Sequence, residues 1–301
     1  MRILFLSLIT TVLLAFQPDT ALLRRVYEDQ VARCEREFGP GDPRTAQAAR
    51  DLAFFLKGAG KDKDAAIAFS KALRIDQVNL GADARQSLAG LIALASVSPP
   101  VEAETLLRRA LASPSMNSQL AVPALSTLGD LRFAAGDRKG AAASWRLAIQ
   151  HAELVNGKES DAVAKILYSL SRIVDANEAV DLLARAKNIA LQTWGERHPE
   201  TATCEINLAN ALLKAGRKAE AAEQARQGLA GFEASLGPRH PRVAVALTTL
   251  AEVMRAQGNA QEAVALYRRA LEIDTQSLGE KDPQTLSDAS SLTALLRATR
   301  K

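Results

Sequence analysis

Gly195-Glu196-Arg197-His198-Pro199-Glu200-Thr201, Gly237-Pro238-Arg239-His240-Pro241-Arg242-Val243 and Gly279-Glu280-Lys281-Asp282-Pro283-Gln284-Thr285 are three versions of one phrase, their glycines 42 residues apart. A fourth version, Gly39-Pro40-Gly41-Asp42-Pro43-Arg44-Thr45, stands near the N-terminus. Self-similarity at a period of about 20–50 residues marks a solenoid or a propeller. Each phrase reads as the start of a helix. Asp42 and Asp282 suit an N-cap, where a side-chain oxygen accepts from backbone N–H groups that the first turn leaves unpaired. His198 and His240 occupy the same place. The prolines that follow lose nothing at the first helical position, and their fixed φ suits it.

A second set of landmarks lies inside each period. Leu52-Ala53, Leu94-Ala95, Leu128-Gly129, Leu170-Ser171, Leu208-Ala209 and Leu250-Ala251 each set a large residue beside a small one. Downstream come triplets at i, i+4, i+7, such as Ala65-Phe69-Ala72, Ala141-Trp145-Ala148 and Ala263-Tyr267-Ala270. That spacing lies on one face of a helix. Gly60, Gly136, Gly216 and Gly258 fall between the two landmarks, where a helix–turn–helix needs a left-handed C-terminal cap. Composition agrees: 48% of the residues are hydrophobic and only 4% aromatic, and Ala and Leu, which head the helix scale, dominate. Segments with strand-like alternation are scarce. The fold class is all-α.

This combination of Leu-Gly-type, Ala, aromatic and Ala positions resembles the tetratricopeptide repeat. The 42-residue period, with the Leu-Gly-x-x-His-Pro-x-Thr phrase between repeats, resembles the kinesin-light-chain-type variant. The resemblance covers about residues 23–301 and implies a right-handed superhelical solenoid of helix-turn-helix repeats with a lone helix at each end. Six repeats are expected, at about 39–80, 81–114, 115–156, 157–194, 195–236 and 237–278, so that the array fills 39–282. Residues 20–38 read as an N-terminal capping helix, with Tyr27 aligned to Phe69, and 283–301 as a C-terminal one. The second and fourth repeats have nine residues from Leu94 to Ala103 and from Leu170 to Ala179, against thirteen elsewhere. A loss of about four residues is one helical turn, so the first helices there should be short. With Pro99, Pro100, Pro114 and Pro123 nearby, the array is expected to bend locally over 96–123.

The leader is read as an export signal at 1–15. Arg2 precedes an uncharged apolar run from Ile3 to Phe16, too short to span a bilayer and suited to a signal-peptide core. The mature protein is then periplasmic or secreted, with an uncleaved membrane anchor as the alternative. Cys34 and Cys204, the two cysteines, are about four repeats apart. Helix layers stack at ~8–10 Å, far beyond the reach of a disulfide.

The 38 Lys and Arg exceed the 34 Asp and Glu by a small margin, and no run of five like charges occurs. A groove for nucleic acid needs clustered cations and stacking aromatics, so no nucleic-acid partner is expected. Gly58-Ala59-Gly60-Lys61 is not a phosphate loop, because the full pattern and a preceding strand are missing. His151, His198 and His240 lack the close spacing of a zinc site. The sequence has no Gly-x-Ser-x-Gly elbow. The expectation is a protein without metal or cofactor and not an enzyme.

Binding is the alternative to chemistry. In the family resembled, the first helix of each repeat lines a concave groove. Carried onto this chain, the groove positions are Lys165, Tyr168, Ser169 and Arg172 in the fourth repeat. In the fifth they are Thr203, Ile206, Asn207 and Asn210, with Lys214 beyond, and in the sixth Thr248, Thr249 and Glu252, with Arg255 nearby. The resemblance puts Asn207 where relatives hold a peptide backbone through an asparagine amide. An amide offers donors and an acceptor together. Lys165, Arg172 and Lys214 favour an acidic or carboxylate-bearing partner. The leading reading is an adaptor binding a polypeptide segment. A structural or self-assembling module, packing through its end helices or outer face, is the alternative.

Overall fold

The computed structural model describes residues 20–299. The expected export segment at 1–15 and the last two residues lie outside that range. Among the described residues there are fourteen helices and no strand: α1 (Thr20–Phe38), α2 (Pro43–Gly58), α3 (Asp62–Leu80), α4 (Arg85–Ala95), α5 (Pro100–Leu111), α6 (Ser118–Ala134), α7 (Arg138–Asn156), α8 (Asp161–Ser171), α9 (Ala176–Trp194), α10 (Pro199–Lys214), α11 (Lys218–Leu236), α12 (Pro241–Gln257), α13 (Ala260–Ser277) and α14 (Pro283–Thr299). The protein is an all-α repeat solenoid. Two compact units divide it, one up to Leu131 and one from Arg132. Within each unit the helices pack chiefly on their neighbours in sequence, and α10 also touches α12.

The recurring phrase starts helices by the expected chemistry. Asp42 accepts from the Arg44 N–H at 2.9 Å, and Asp282 from Gln284 at 2.8 Å. His198 and His240 do the same work through Nδ1, accepting from Glu200 at 3.2 Å and Arg242 at 3.1 Å. The hydroxyl at the end of the phrase has its own role. Thr45 and Thr201 each donate back to the carbonyl of the phrase's glycine, Gly39 and Gly195, at 2.8 Å, and Ser87 donates in the same way to Gly81, six residues before it, at 2.7 Å. This bond fixes the angle at which one helix follows the last. Val243 cannot make it, and Thr285 leaves its buried hydroxyl unpaired. At the other end of a first helix, Gly258 caps α12 with φ +89°. That left-handed backbone strains any residue carrying a Cβ, which is why the position calls for glycine.

The triplets form the core of both units. In the first, Phe69 and Leu107 are buried with alanines on either side, and Tyr27 of α1 stacks on Phe55 at 5.1 Å. Asp76 is buried too, held by Arg50 and by Gln86. In the second, Trp145, Leu183 and Tyr267 take the central place, and Phe133 lies 5.9 Å from Trp145. The short repeats are short as expected: α4 and α8 have eleven residues each, against sixteen in α2 and α10.

Candidate functional site

In the second unit the first helices are α8, α10, α12 and the lone α14. On α8, Lys165 is exposed but bound to Asp161, one turn back, at 2.6 Å. Tyr168 is exposed. Arg172 lays its guanidinium over the Phe133 ring at 4.5 Å. On α10, Asn207 and Asn210 are half-buried, while Lys214 stands at the C-terminal end of the helix. Among the described residues none of these three side chains has a hydrogen-bond or charge partner. On α12, Glu252 and Arg255 join Tyr267, Ser291 and Leu295 around an open cleft of about 350 Å³. Burial, and then the nearby Glu252 carboxylate, raises the Tyr267 phenol above its ordinary pKa.

Three of the expected groove positions are engaged within the fold. Ile206 and Thr249 are buried, at 4% and 5% exposure. Each of these first helices packs between two second helices, and α10 also touches α12, so the exposed face is narrower than four positions per repeat. Thr248 is tied to α14, its hydroxyl donating to the Asp288 carboxylate at 3.2 Å. Asp288 in turn faces Asp274 of α13. Both are about 1% exposed, and burial first, then the charge of Asp288, raises the Asp274 carboxyl. Two carboxyl groups this close disfavour ionising together. The other expected positions are polar: the half-buried amides of Asn207 and Asn210, the exposed Lys214 and Arg172, and the Glu252–Arg255 cleft.

The other side of α10 carries a feature the sequence reading missed. Glu205 is only 6% exposed, and among the described residues its carboxylate has no hydrogen-bond partner. It lines an open cleft of about 540 Å³ between α9 and α11, together with Lys187, Leu191, Arg197, Ala230 and Ala234. Burial pushes its carboxyl from the ordinary 4.5 up to about 7; Lys187 pulls the other way and Glu196 adds to the rise. The cleft exists because α11 carries small residues where other second helices are large. Gly231 stands where Ile75, Ile189 and Ile273 stand, and Ala225 where Phe69, Leu183 and Tyr267 do. A Cβ on Gly228 would come within 2.8 Å of Ile206, so α11 rides close on α10. Glu205 itself replaces Ala49, Leu247 and Ala289. Aligning the repeats position by position, rather than scanning for motifs, is the signal that picks it out.

Among the described residues no group of three or more His, Cys, Asp or Glu is placed to hold a metal ion. No described helix is long and apolar enough to cross a membrane. Both cysteines are free and half-buried.

The tetratricopeptide repeat family model matches residues 175–234, 229–276 and 242–301. No curated protein matches the sequence significantly. Among solved structures, the chain is similar to BtubC (BKLC) from P. vanneervenii, at 21% identity over 84% of this chain and 92% of that one, with a TM-score of 0.54. The apo form of RapI is similar at 14% identity, over 85% and 72% of the two chains, with a TM-score of 0.64. A signal transduction ATPase with numerous domains from Pyrococcus horikoshii, which has a tetratricopeptide repeat sensor, is 14% identical. That match covers 92% of this chain and 44% of the other, with a TM-score of 0.67.

Proposed function

From the premise that this chain is a repeat protein of the tetratricopeptide superfamily, with a kinesin-light-chain-like 42-residue repeat, we propose that it is a non-enzymatic adaptor binding an extended polypeptide segment along the exposed first-helix face of its second unit. Tetratricopeptide repeats generally mediate protein–protein interaction. The observation that carries the reading is the pair Asn207 and Asn210. Two half-buried amides three residues apart share a helix face, and neither has an intramolecular partner among the described residues. An extended peptide supplies the alternating carbonyl and N–H groups such amides need. Lys214, Arg172 and Arg255 along the same face favour acidic side chains or a terminal carboxylate. Lys165 contributes less, because Asp161 already neutralises it. We also propose that the protein is exported, on the strength of the charged-then-apolar leader. N-terminal sequencing from native cells tests this, and an intact Met1 would refute it.

The test of the groove is affinity capture from a native envelope fraction, repeated with Asn207→Ala combined with Lys214→Ala. Losing a neutral hydrogen bond takes away about 1 kcal/mol and a charged one ~1.5–3. The double variant should therefore lower affinity by roughly ten- to a thousandfold. Neither residue is in the core, so its melting curve should match the wild type. Unchanged capture by a normally folded double variant removes this reading and leaves self-assembly through end helices or outer face.

A further inference from the structure

Successive residues on a helix turn by about 100°. Glu205 therefore stands about 180° around α10 from Lys214 and about 200° from Asn207, on the far side from the proposed peptide face. An ionised carboxylate at 6% exposure without a hydrogen bond is among the least comfortable polar groups a protein can hold. Two other buried carboxylates have partners: Arg50 and Gln86 hold Asp76, and Thr248 and Gln284 bind Asp288. Asp274 keeps one oxygen unpaired but faces only the closed interior beside Asp288. Glu205 instead opens onto a cleft.

The surroundings decide what it would accept. Only a hydrogen-bond donor suits the floor of the cleft. Lys187 of α9 is near, but its ammonium donates to Gln224 at 3.1 Å. Glu196 and Arg197, in the α9–α10 loop, complete the charged groups around the cleft, and α11 contributes only the neutral Gln227. A divalent cation asks for several ligands of its own, and no cluster of three is present among the described residues. An anion would sit against Glu205 and Glu196. Leu191, Ala230 and Ala234 supply apolar walls above the carboxylate, which suit a hydrocarbon stem. We propose that this cleft is a second binding site, taking an aliphatic ammonium group whose nitrogen pairs with Glu205 and whose stem lies along Leu191, Ala230 and Ala234. The cation replaces the missing partner, and the walls select an alkyl chain over a bare ion.

Two probes distinguish the source of such a group. n-Pentylammonium represents a free amine, and Nα-acetyl-lysine methylamide a lysine within a polypeptide. Ligand-observed NMR titration of the full chain at pH 8 should show saturable binding of at least one probe below about 10 mM, a range suited to so few contacts. The probe that binds more tightly names the source. Glu205→Gln should weaken binding at least tenfold. Ala230→Leu, at an exposed helix position, should do the same by filling the cleft while leaving the carboxylate in place. Because a proton competes for a carboxyl titrating at about 7, affinity should fall about tenfold from pH 8 to pH 6. Asn207→Ala with Lys214→Ala should bind both probes like the wild type, so failure of the peptide-face reading leaves this one standing. Absence of saturable binding by either probe, or binding unchanged in both Glu205→Gln and Ala230→Leu, overturns the proposal.

Discussion

Glu205→Gln should make the ligand-free protein more stable at pH 8 and leave it nearly unchanged at pH 4.5. The carboxyl goes from an ordinary 4.5 in the unfolded chain to about 7 in the fold, burial being the main cause. A raised acid binds its proton more tightly when folded. Stability is thus fully present below about pH 4.5 and declines as the pH rises towards 7, after which the loss is constant. A tenfold change in proton affinity corresponds to about 1.4 kcal/mol, so the wild type gives up at most about 3 kcal/mol at this one residue. Glutamine has the same shape and never ionises, so it escapes the loss. For a folding unit of this size, ~3 kcal/mol corresponds to roughly 6–12 °C in melting temperature. Thermal melts of both proteins at pH 4.5, 6 and 8 read the effect as a difference, which cancels the titration of every other group. A gap that widens with pH by several degrees is expected. A gap that is constant, or a variant that melts lower at pH 8, would refute the reasoning and mean that the carboxylate is satisfied.

Two further outcomes follow from the buried groups of the second unit. Asp288→Asn replaces one of the paired carboxyls by an amide that still accepts from Thr248 and donates to Asp274. Since both carboxyls are raised in the fold, the wild-type pair weakens the seat of α14 as the pH rises. Hydrogen exchange in α14 should therefore be slower in the variant at pH 8 and similar in the two proteins at pH 4.5; equal exchange at both would contradict it. Burial raises the Cys204 thiol from its ordinary 9.0 to about 11, so its thiolate is roughly a hundredfold scarcer than that of a free thiol. Iodoacetamide at pH 8 should label it correspondingly slowly in the folded protein and at the normal rate in urea, and rapid labelling of the folded form would refute the burial.

Much of this architecture is legible in the sequence, because each part of the repeat has a local cause. Asp42 and His240 announce helix starts, Gly258 an end, and the Ala-aromatic-Ala spacing a buried face. A missing turn before Ala103 and Ala179 shows as a short helix for the same reason. The exposed face of a first helix is harder to read. Ile206 and Thr249 lie at positions that periodicity alone leaves open, and how many neighbours enclose a helix decides them. Glu205 escapes altogether, since one acid among 34 Asp and Glu carries no mark of burial until the helix beside it is known to carry Gly228 and Gly231.

Neighbour-by-neighbour packing has a mechanical consequence. A chain whose helices lean chiefly on those adjacent in sequence has no distant clasp to break first. Pulled from its end, such a unit should peel one helix pair at a time at low force, rather than rupture as a block. Each 42-residue repeat stretches to roughly 140–150 Å, a long reserve of slack released in small steps. An extended partner lying across several repeats would splint them, so that tension in the partner and cohesion in the array become one property.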